Sequence, residues 1–145
     1  MPPDPHNLTR FLDAQKSIYP QALAELQAGR KRSHWMWFIF PQLAGLGHSS
    51  TAQFYAIGSL DEARAYLTHP TLGPRLIECA QALLQHEGKS ATQMLGSPDD
   101  LKLRSSATLF AQVTPPESPF AQILKKYYES KPDPKTLELL TMPHL

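Results

Sequence analysis

With 145 residues, 41% hydrophobic and 19% charged, the chain is long enough to bury roughly two-thirds of its unfolded surface as one domain, and its balance excludes disorder. A formal net charge of +1 provides no global field to gather nucleic acid or an anionic membrane, so any basic function has to be local. The single cysteine, Cys79, excludes an internal disulfide and, with no signal peptide evident, fits a reducing cytoplasm; the longest apolar run, Trp35 to Pro41, falls far short of the roughly 20 residues that span a bilayer.

Leu8, Phe11, Leu12, Ile18 and Tyr19 recur at helical spacing and predict a first helical segment. Tyr19-Pro20 opens a second, carried by Leu23 and Leu26 and stopped at Gly29, where glycine suits the left-handed C-cap. Ser33 then caps a short helix that Pro41 ends, with Trp35, Phe38, Ile39 and Phe40 as core. Ser59-Leu60-Asp61-Glu62 reads as a capping box, the serine bonding forward and the glutamate back. Leu72, Leu76, Ile77, Ala80, Leu83 and Leu84 trace the stripe of a longer helix, and Gly88 and Gly96 mark later stops. Ser97-Pro98-Asp99-Asp100 offers a serine cap, proline at the first position and acids facing the positive end of the dipole. Leu103, Ala107 and Phe110 give that helix its buried face. Ser118-Pro119 and Asp133-Pro134 repeat the same grammar ahead of Phe120, Ile123, Leu124 and Tyr127, and of Leu137 and Leu140.

Fourteen prolines against seven glycines therefore read as helix starts rather than as disorder. Alternating polar and apolar residues are nearly absent, and no Asn-Gly or Asp-Gly hairpin signal occurs. The expectation is an all-α, compact multihelical single domain over residues 1–145, of about seven to nine short helices, with residues 1–6 flexible.

Two stretches concentrate candidate chemistry. In GRKRSHWMWFIFPQ, residues 29–42, Arg30, Lys31 and Arg32 follow the negative end of a helix and run into both tryptophans. Folding alone accounts for much of this, since cations complement helix C-termini and large rings are usually core. As a site, the junction has a different use. Arg30 and Lys31 would hold phosphate or carboxylate, Trp35 or Trp37 would stack a planar ring, and Ser33 would add donors at a helix start. His34 is a candidate donor or general base near neutral pH. The second stretch is Asp99 to Phe110, where Lys102 and Ser105 project together beside the buried face. Paired serines have poorer helix propensity than Glu or Gln and fit close approach by a packed helix or a ligand.

Gln15 stands on an apolar stripe and needs buried partners; Gln42, just after Pro41, lines the same region. Asp13 is the acid kept as a catalytic candidate beside His34, because cleaving a glycosidic bond needs a carboxylate or a polarised water. The five other histidines, His6, His48, His69, His86 and His144, show no metal-site spacing with Cys, Asp or Glu. Gly45-Leu46-Gly47 is too short for a phosphate loop, and no cofactor motif is present. Cys79 lies on an apolar face without a basic neighbour and reads as core. Glu25, Asp61, Glu62, Glu78 and Glu87 read as exposed helix or cap charges.

The order FLDAQ, GRKRSHWMWFIFPQ with GLG, SLDEARAYLTHPTLGPRL and SPDDLKLRSSATLF closely resembles the bacterial domain-of-unknown-function family 1810, from about Asn7 to Leu140. The resemblance implies a small, cytoplasmic, all-helical protein of a family without an established activity. Some members are labelled calpastatin, a name that suits a disordered inhibitor and not a chain with caps and a core. Phe11 to Lys16 is also faintly similar to the F…Q-K segment of the NADAR family, helical proteins linked to NAD and ADP-ribose metabolism. Where that family has a glutamate–histidine pair this chain has Thr9-Arg10, so N-glycosidic hydrolysis is not carried over.

Two functions follow as expectations. The first is a site for a phosphorylated or nucleotide-like small molecule of the ADP-ribose or NAD type, either bound alone or bound and hydrolysed, with Lys102 and Ser105 sharing one pocket with the Arg30–Gln42 segment. The second is a non-enzymatic module recognising an acidic partner segment, with Arg30, Lys31 and Arg32 as its rim. Nucleic acid is a weaker partner, because three cations are too few for strong phosphate binding. Oligomeric state is left open by the sequence.

Overall fold

Proline and serine at helix starts are used much as their chemistry dictates. The computed structural model describes residues 4–141. Among these the backbone forms ten helices and no strand: α1 Thr9–Gln15, α2 Tyr19–Ala28, α3 Met36–Ile39, α4 Ser50–Phe54, α5 Leu60–Thr68, α6 Leu72–Leu84, α7 Ala91–Leu95, α8 Asp99–Ala111, α9 Pro119–Tyr127 and α10 Pro134–Thr141. The all-α class is as expected, but ten helices exceed the anticipated seven to nine. The excess has a simple cause: α4 and α7 have five residues each, too few to display a periodicity.

Local signals hold at α2, α9 and α10. Proline stands in the first turn of α2 and α9, Ser118 accepts the Ala121 N–H at 3.3 Å, and the Asp133 carboxylate accepts the Thr136 N–H at 2.9 Å. Gly29 closes α2 in the left-handed region at φ 74°, with the Arg30 N–H reaching back to the Glu25 carbonyl at 3.0 Å, as a Schellman end requires. At α8 the expected serine cap is absent. Pro98 itself occupies the cap position and no side chain bonds there. The complete capping box belongs to Ser90 and Gln93 on α7 instead.

The Ser59 box is only half formed. Ser59 accepts the Glu62 N–H at 3.2 Å, but the Glu62 carboxylate passes over Ser59 to take the Gly58 N–H at 3.0 Å and the Arg10 guanidinium at 2.7 Å. Glu62 is buried, contrary to the exposed charge read from sequence. Its partner Arg10 also donates to the carbonyls of Phe54 and Ala56, each at 2.8 Å, and so fastens the end of α4 to α1. Residues 1–3 of the anticipated flexible start lie outside the described residues. Asp4 is tied to α1, accepting the N–H groups of Leu8 and Thr9.

Helix α8 is the axis of the molecule. It is buried almost all round, through Leu103, Ser105, Ser106, Ala107, Thr108, Leu109 and Phe110, and packs against α5, α7, α9 and α10. Its small residues are what let neighbours approach on so many sides. A chain of aromatic contacts crosses the core from α1 to α9: Phe11 on Tyr66 at 5.1 Å, Tyr66 on Phe110 at 5.6 Å and Phe110 on Phe120 at 5.5 Å. Such pairs add about 0.5–1.5 kcal/mol each beyond their burial. On α6 the stripe holds except at Ile77, which faces outward, while Cys79 takes a core position. Within α6, Gly73 is pressed against α5 so closely that a Cβ would stand 2.0 Å from the Leu67 carbonyl oxygen.

Candidate functional site

The segment after Gly29 is organised by a residue that sequence reading set aside. Glu25 on α2 is buried at 8% exposure, and its carboxylate accepts from the Arg32 N–H at 2.7 Å, the Ser33 N–H at 3.0 Å, the Ser33 hydroxyl at 2.7 Å and the Trp35 indole N–H at 3.0 Å. Burial alone would raise its pKa. The donors of Arg32, Ser33 and Trp35 outweigh burial and lower it from 4.5 to about 2. Ser33 therefore does not cap α3, whose cap position is Trp35; it closes a turn around Glu25. Trp35 is fully buried, which leaves Trp37 as the indole with exposed surface.

Beyond this turn the two candidate stretches meet through Asp99. Its carboxylate holds the Lys31 ammonium at 2.9 Å and the Lys102 ammonium at 3.3 Å. Lys31 lies 5.2 Å from the centre of the Trp35 ring, and Lys102 lies 4.7 Å from the centre of the Trp37 ring. Cation and ring attract electrostatically at such separations. The result is a continuous run from Trp35 through Lys31, Asp99 and Lys102 to Trp37. Lys31 is further held by its backbone N–H on the Met94 carbonyl at 2.7 Å.

Trp37 and Lys102 open onto a concave cleft of about 420 Å³, which Gln42, Ser105, Asp133 and Lys135 also line. Its lining is drawn from α3, from the Leu46–Ser49 loop with Ala52, from α8 and from the start of α10. Gln42 is fixed in place because its carbonyl accepts the Ile57 N–H at 2.8 Å across an isolated parallel bridge between Leu43 and Ile57. Four predicted residues thus come together: Trp37, Gln42, Lys102 and Ser105. The required sharing of one pocket by Lys102, Ser105 and the Arg30–Gln42 segment is met through Trp37 and Gln42.

The other candidates sit elsewhere. Asp13, Arg30 and His34 are exposed and outside the lining of this cleft. Gln15 is buried, its amide donating to the Phe38 carbonyl at 2.7 Å and the Tyr66 hydroxyl at 3.1 Å while accepting from Arg75 at 3.3 Å. Its role is to pin α3 to α1 and α5. Lys31 does not line the cleft and is linked to it only through Asp99, which also holds Lys102. Among the described residues no group of three His, Cys, Asp or Glu side chains could hold a metal ion; His144 lies outside them.

Sequence reading missed Asp99 as a bridge, Asp133 and Lys135 as cleft walls, and a second depression bordered by Trp37. That depression, of about 490 Å³, is lined by Trp37, Phe38, Phe54 and Tyr55 with Ser50 and Thr51. Phe54 is 55% exposed and meets Tyr55 edge-on at 4.8 Å. The signal available was the Phe54-Tyr55 pair, two adjacent rings outside any apolar stripe.

Ten helices, with α8 at their centre and an open cleft beside Trp37, and no helix among the described residues long and apolar enough to cross a membrane, define a small multihelical protein. The chain belongs to the family described as protein of unknown function (DUF1810), whose model matches residues 5–140. It is 51% identical to the conserved hypothetical protein Rv1873 from Mycobacterium tuberculosis, whose crystal structure superposes with a TM-score of 0.94 over 97% of this chain and 100% of that one. No curated protein matches. These comparisons do not show the fainter likeness to the NADAR family.

Proposed function

We propose that the cleft beside Trp37 binds a small anionic molecule carrying a planar ring, of the phosphorylated or nucleotide-like class. The observation that supports this most is the placement of the Lys102 ammonium 4.7 Å from the centre of the Trp37 ring in a hollow shared with Gln42, Ser105 and Lys135. An ammonium group recognises phosphate as a point charge, and a ring with exposed surface accepts another ring by stacking. The Gln42 amide supplies both a donor and an acceptor for orientation. A volume of about 420 Å³ falls within the usual range for small-molecule sites.

Binding is favoured over hydrolysis. Neither Asp13 nor His34 lines the cleft; the imidazole that does belongs to His48, and the one carboxylate there, Asp133, is engaged by the Thr136 N–H and hydroxyl at 2.9 and 2.6 Å. Thermal denaturation with AMP, ADP-ribose, NAD and inorganic phosphate tests the reading. A ligand at 100 times its dissociation constant adds about 2.7 kcal/mol, which raises the melting temperature of a chain this size by roughly 6–10 °C. The shift should vanish in Lys102→Ala. Absence of any shift with all four compounds would sink the proposal.

A second reading keeps one specific support. Arg30 and Arg32 are exposed, and their guanidinium groups form no ion pair with any described residue, as the rim of a surface for an acidic partner segment would require. Binding of a poly-glutamate peptide that survives Lys102→Ala but is lost in Arg30→Glu with Arg32→Glu would favour it. Equal binding by both variants would remove it.

A further inference from the structure

Trp37 lines two depressions that differ in charge. The first holds Lys102 and Lys135. The second contains no ionisable side chain except the Tyr55 phenol; its walls are the rings of Trp37, Phe38, Phe54 and Tyr55, edged by the Ser50 and Thr51 hydroxyls. On the cationic side the Trp37 ring already has Lys102 against it. A planar group entering there would compete with that ammonium for the indole.

The aromatic side has no such conflict. Phe54 carries a large apolar ring that is 55% exposed, on a helix none of whose residues is buried. With the Tyr55 ring edge-on beside it, Phe54 leaves aromatic surface open on the rim of this depression. The frame behind it is rigid: Arg10 anchors the Phe54 and Ala56 carbonyls, Gln15 anchors the Phe38 carbonyl, and Tyr55 packs on Phe38 at 5.4 Å and Phe11 at 5.8 Å.

We infer that one ligand straddles Trp37, its phosphate in the cleft with Lys102 and Lys135 and its base in the adjoining aromatic depression against Phe54, which selects a nucleoside phosphate over either a free nucleoside or inorganic phosphate. The Ser50 and Thr51 hydroxyls line the same depression as Phe54 and are the polar groups available there to a nucleoside. This inference rests on the proposed reading of the cleft as an anion site, and deepens it by naming where the base lies.

Titrations following tryptophan fluorescence separate the two. Trp37 has exposed surface while Trp35 is buried, so a ligand at either depression reports through Trp37. The probes are AMP, adenosine and inorganic phosphate; the proteins are the wild type, Phe54→Ala and Lys102→Ala. Loss of one stacking partner should weaken AMP and adenosine at least about tenfold in Phe54→Ala, with phosphate affinity unchanged within about twofold. Lys102→Ala should show the reverse, weakening AMP and phosphate and sparing adenosine. If Phe54→Ala leaves AMP affinity unaltered while Lys102→Ala lowers it, the base lies elsewhere; the inference fails and the anion site stands. Equal loss of phosphate affinity in Phe54→Ala would mean that Phe54 acts only by holding α4, which also overturns the inference. If the wild type binds neither AMP nor phosphate, the anion site and the inference fall together.

Discussion

Lys31 and Lys102, 71 positions apart in the chain, share the single carboxylate of Asp99, at 2.9 and 3.3 Å. The Lys31 side chain is only 9% exposed, so its charge depends on that partner. Removing one member of a largely buried pair costs about 3–5 kcal/mol when nothing else compensates, and the nearby Trp35 ring and partial solvent access reduce this. Asp99→Asn should lower the unfolding free energy by about 2 kcal/mol, measured by urea denaturation. Adding Lys31→Met should recover most of the loss, because the stranded ammonium is then gone. An Asp99→Asn protein within about 0.5 kcal/mol of wild type would show that the bridge contributes nothing to stability.

Glu25 makes stability sensitive to acid. Its folded pKa, lowered to about 2 from 4.5, means that the folded state binds the proton more weakly than the unfolded chain does. The contribution is therefore complete above about pH 4.5 and is lost as pH falls from there toward about 2. Glu25→Gln should cost about 2–3 kcal/mol at neutral pH, where five donors, the Gln21 amide among them, lose a charged acceptor. The two proteins should converge in stability between pH 4.5 and 2, read from denaturation midpoints across that range. Parallel pH curves would mean that the carboxylate is not the anchor of this turn.

Local chemistry was legible in the sequence; pairing across the chain was not. Gly29, Pro119 and Pro134 act within one helical turn, so their roles can be read from neighbours alone. Glu25 looked like an ordinary helix acid because its donors lie 7 to 10 positions ahead, beyond a turn whose direction periodicity does not encode. Asp99 read correctly as an acid in a first turn, yet its bond to Lys31 depends on how α7 and α8 fold back on α2. Part of the cleft was visible for a related reason. Trp37 and Lys102 stood out as a ring and a cation in the two candidate stretches, Gln42 as a polar residue just after Pro41, and Ser105 as a small hydroxyl on a helix flank that Glu or Gln would ordinarily fill. Asp133 and Lys135 did not, since the first reads as an ordinary helix cap and the second as a solvated lysine on a surface helix. Gln15 was correctly read as a polar residue needing partners, and its partners proved to be structural.

Cys79 should behave as a packed side chain and not as a nucleophile. It is fully buried, and burial pushes its thiol up to about 12, so the native protein carries almost no thiolate at neutral pH. Iodoacetamide at pH 8 should leave the folded protein unmodified over hours and label it with one equivalent after denaturation, counted by mass spectrometry. Rapid labelling of the native protein would show that α6 opens locally to solvent.

Ser106 offers the sharpest test of how α8 is packed. Its residue is 1% exposed, and its hydroxyl has no hydrogen-bond partner among the described residues. Ser105, next to it, donates to the Leu101 carbonyl at 3.1 Å, so the two serines carry different burdens. A buried hydroxyl without a partner keeps the full penalty of leaving water. Alanine removes the penalty, fits the same space and is the better helix former. Ser106→Ala should therefore raise stability by about 1 kcal/mol, or roughly 3 °C in melting temperature for a chain of this size. Ser105→Ala should be near neutral, since the bond it loses is offset by the gain in propensity. A Ser106→Ala protein less stable than wild type would show that the hydroxyl has a partner after all, and that this flank of α8 is polar inside as well as along the cleft.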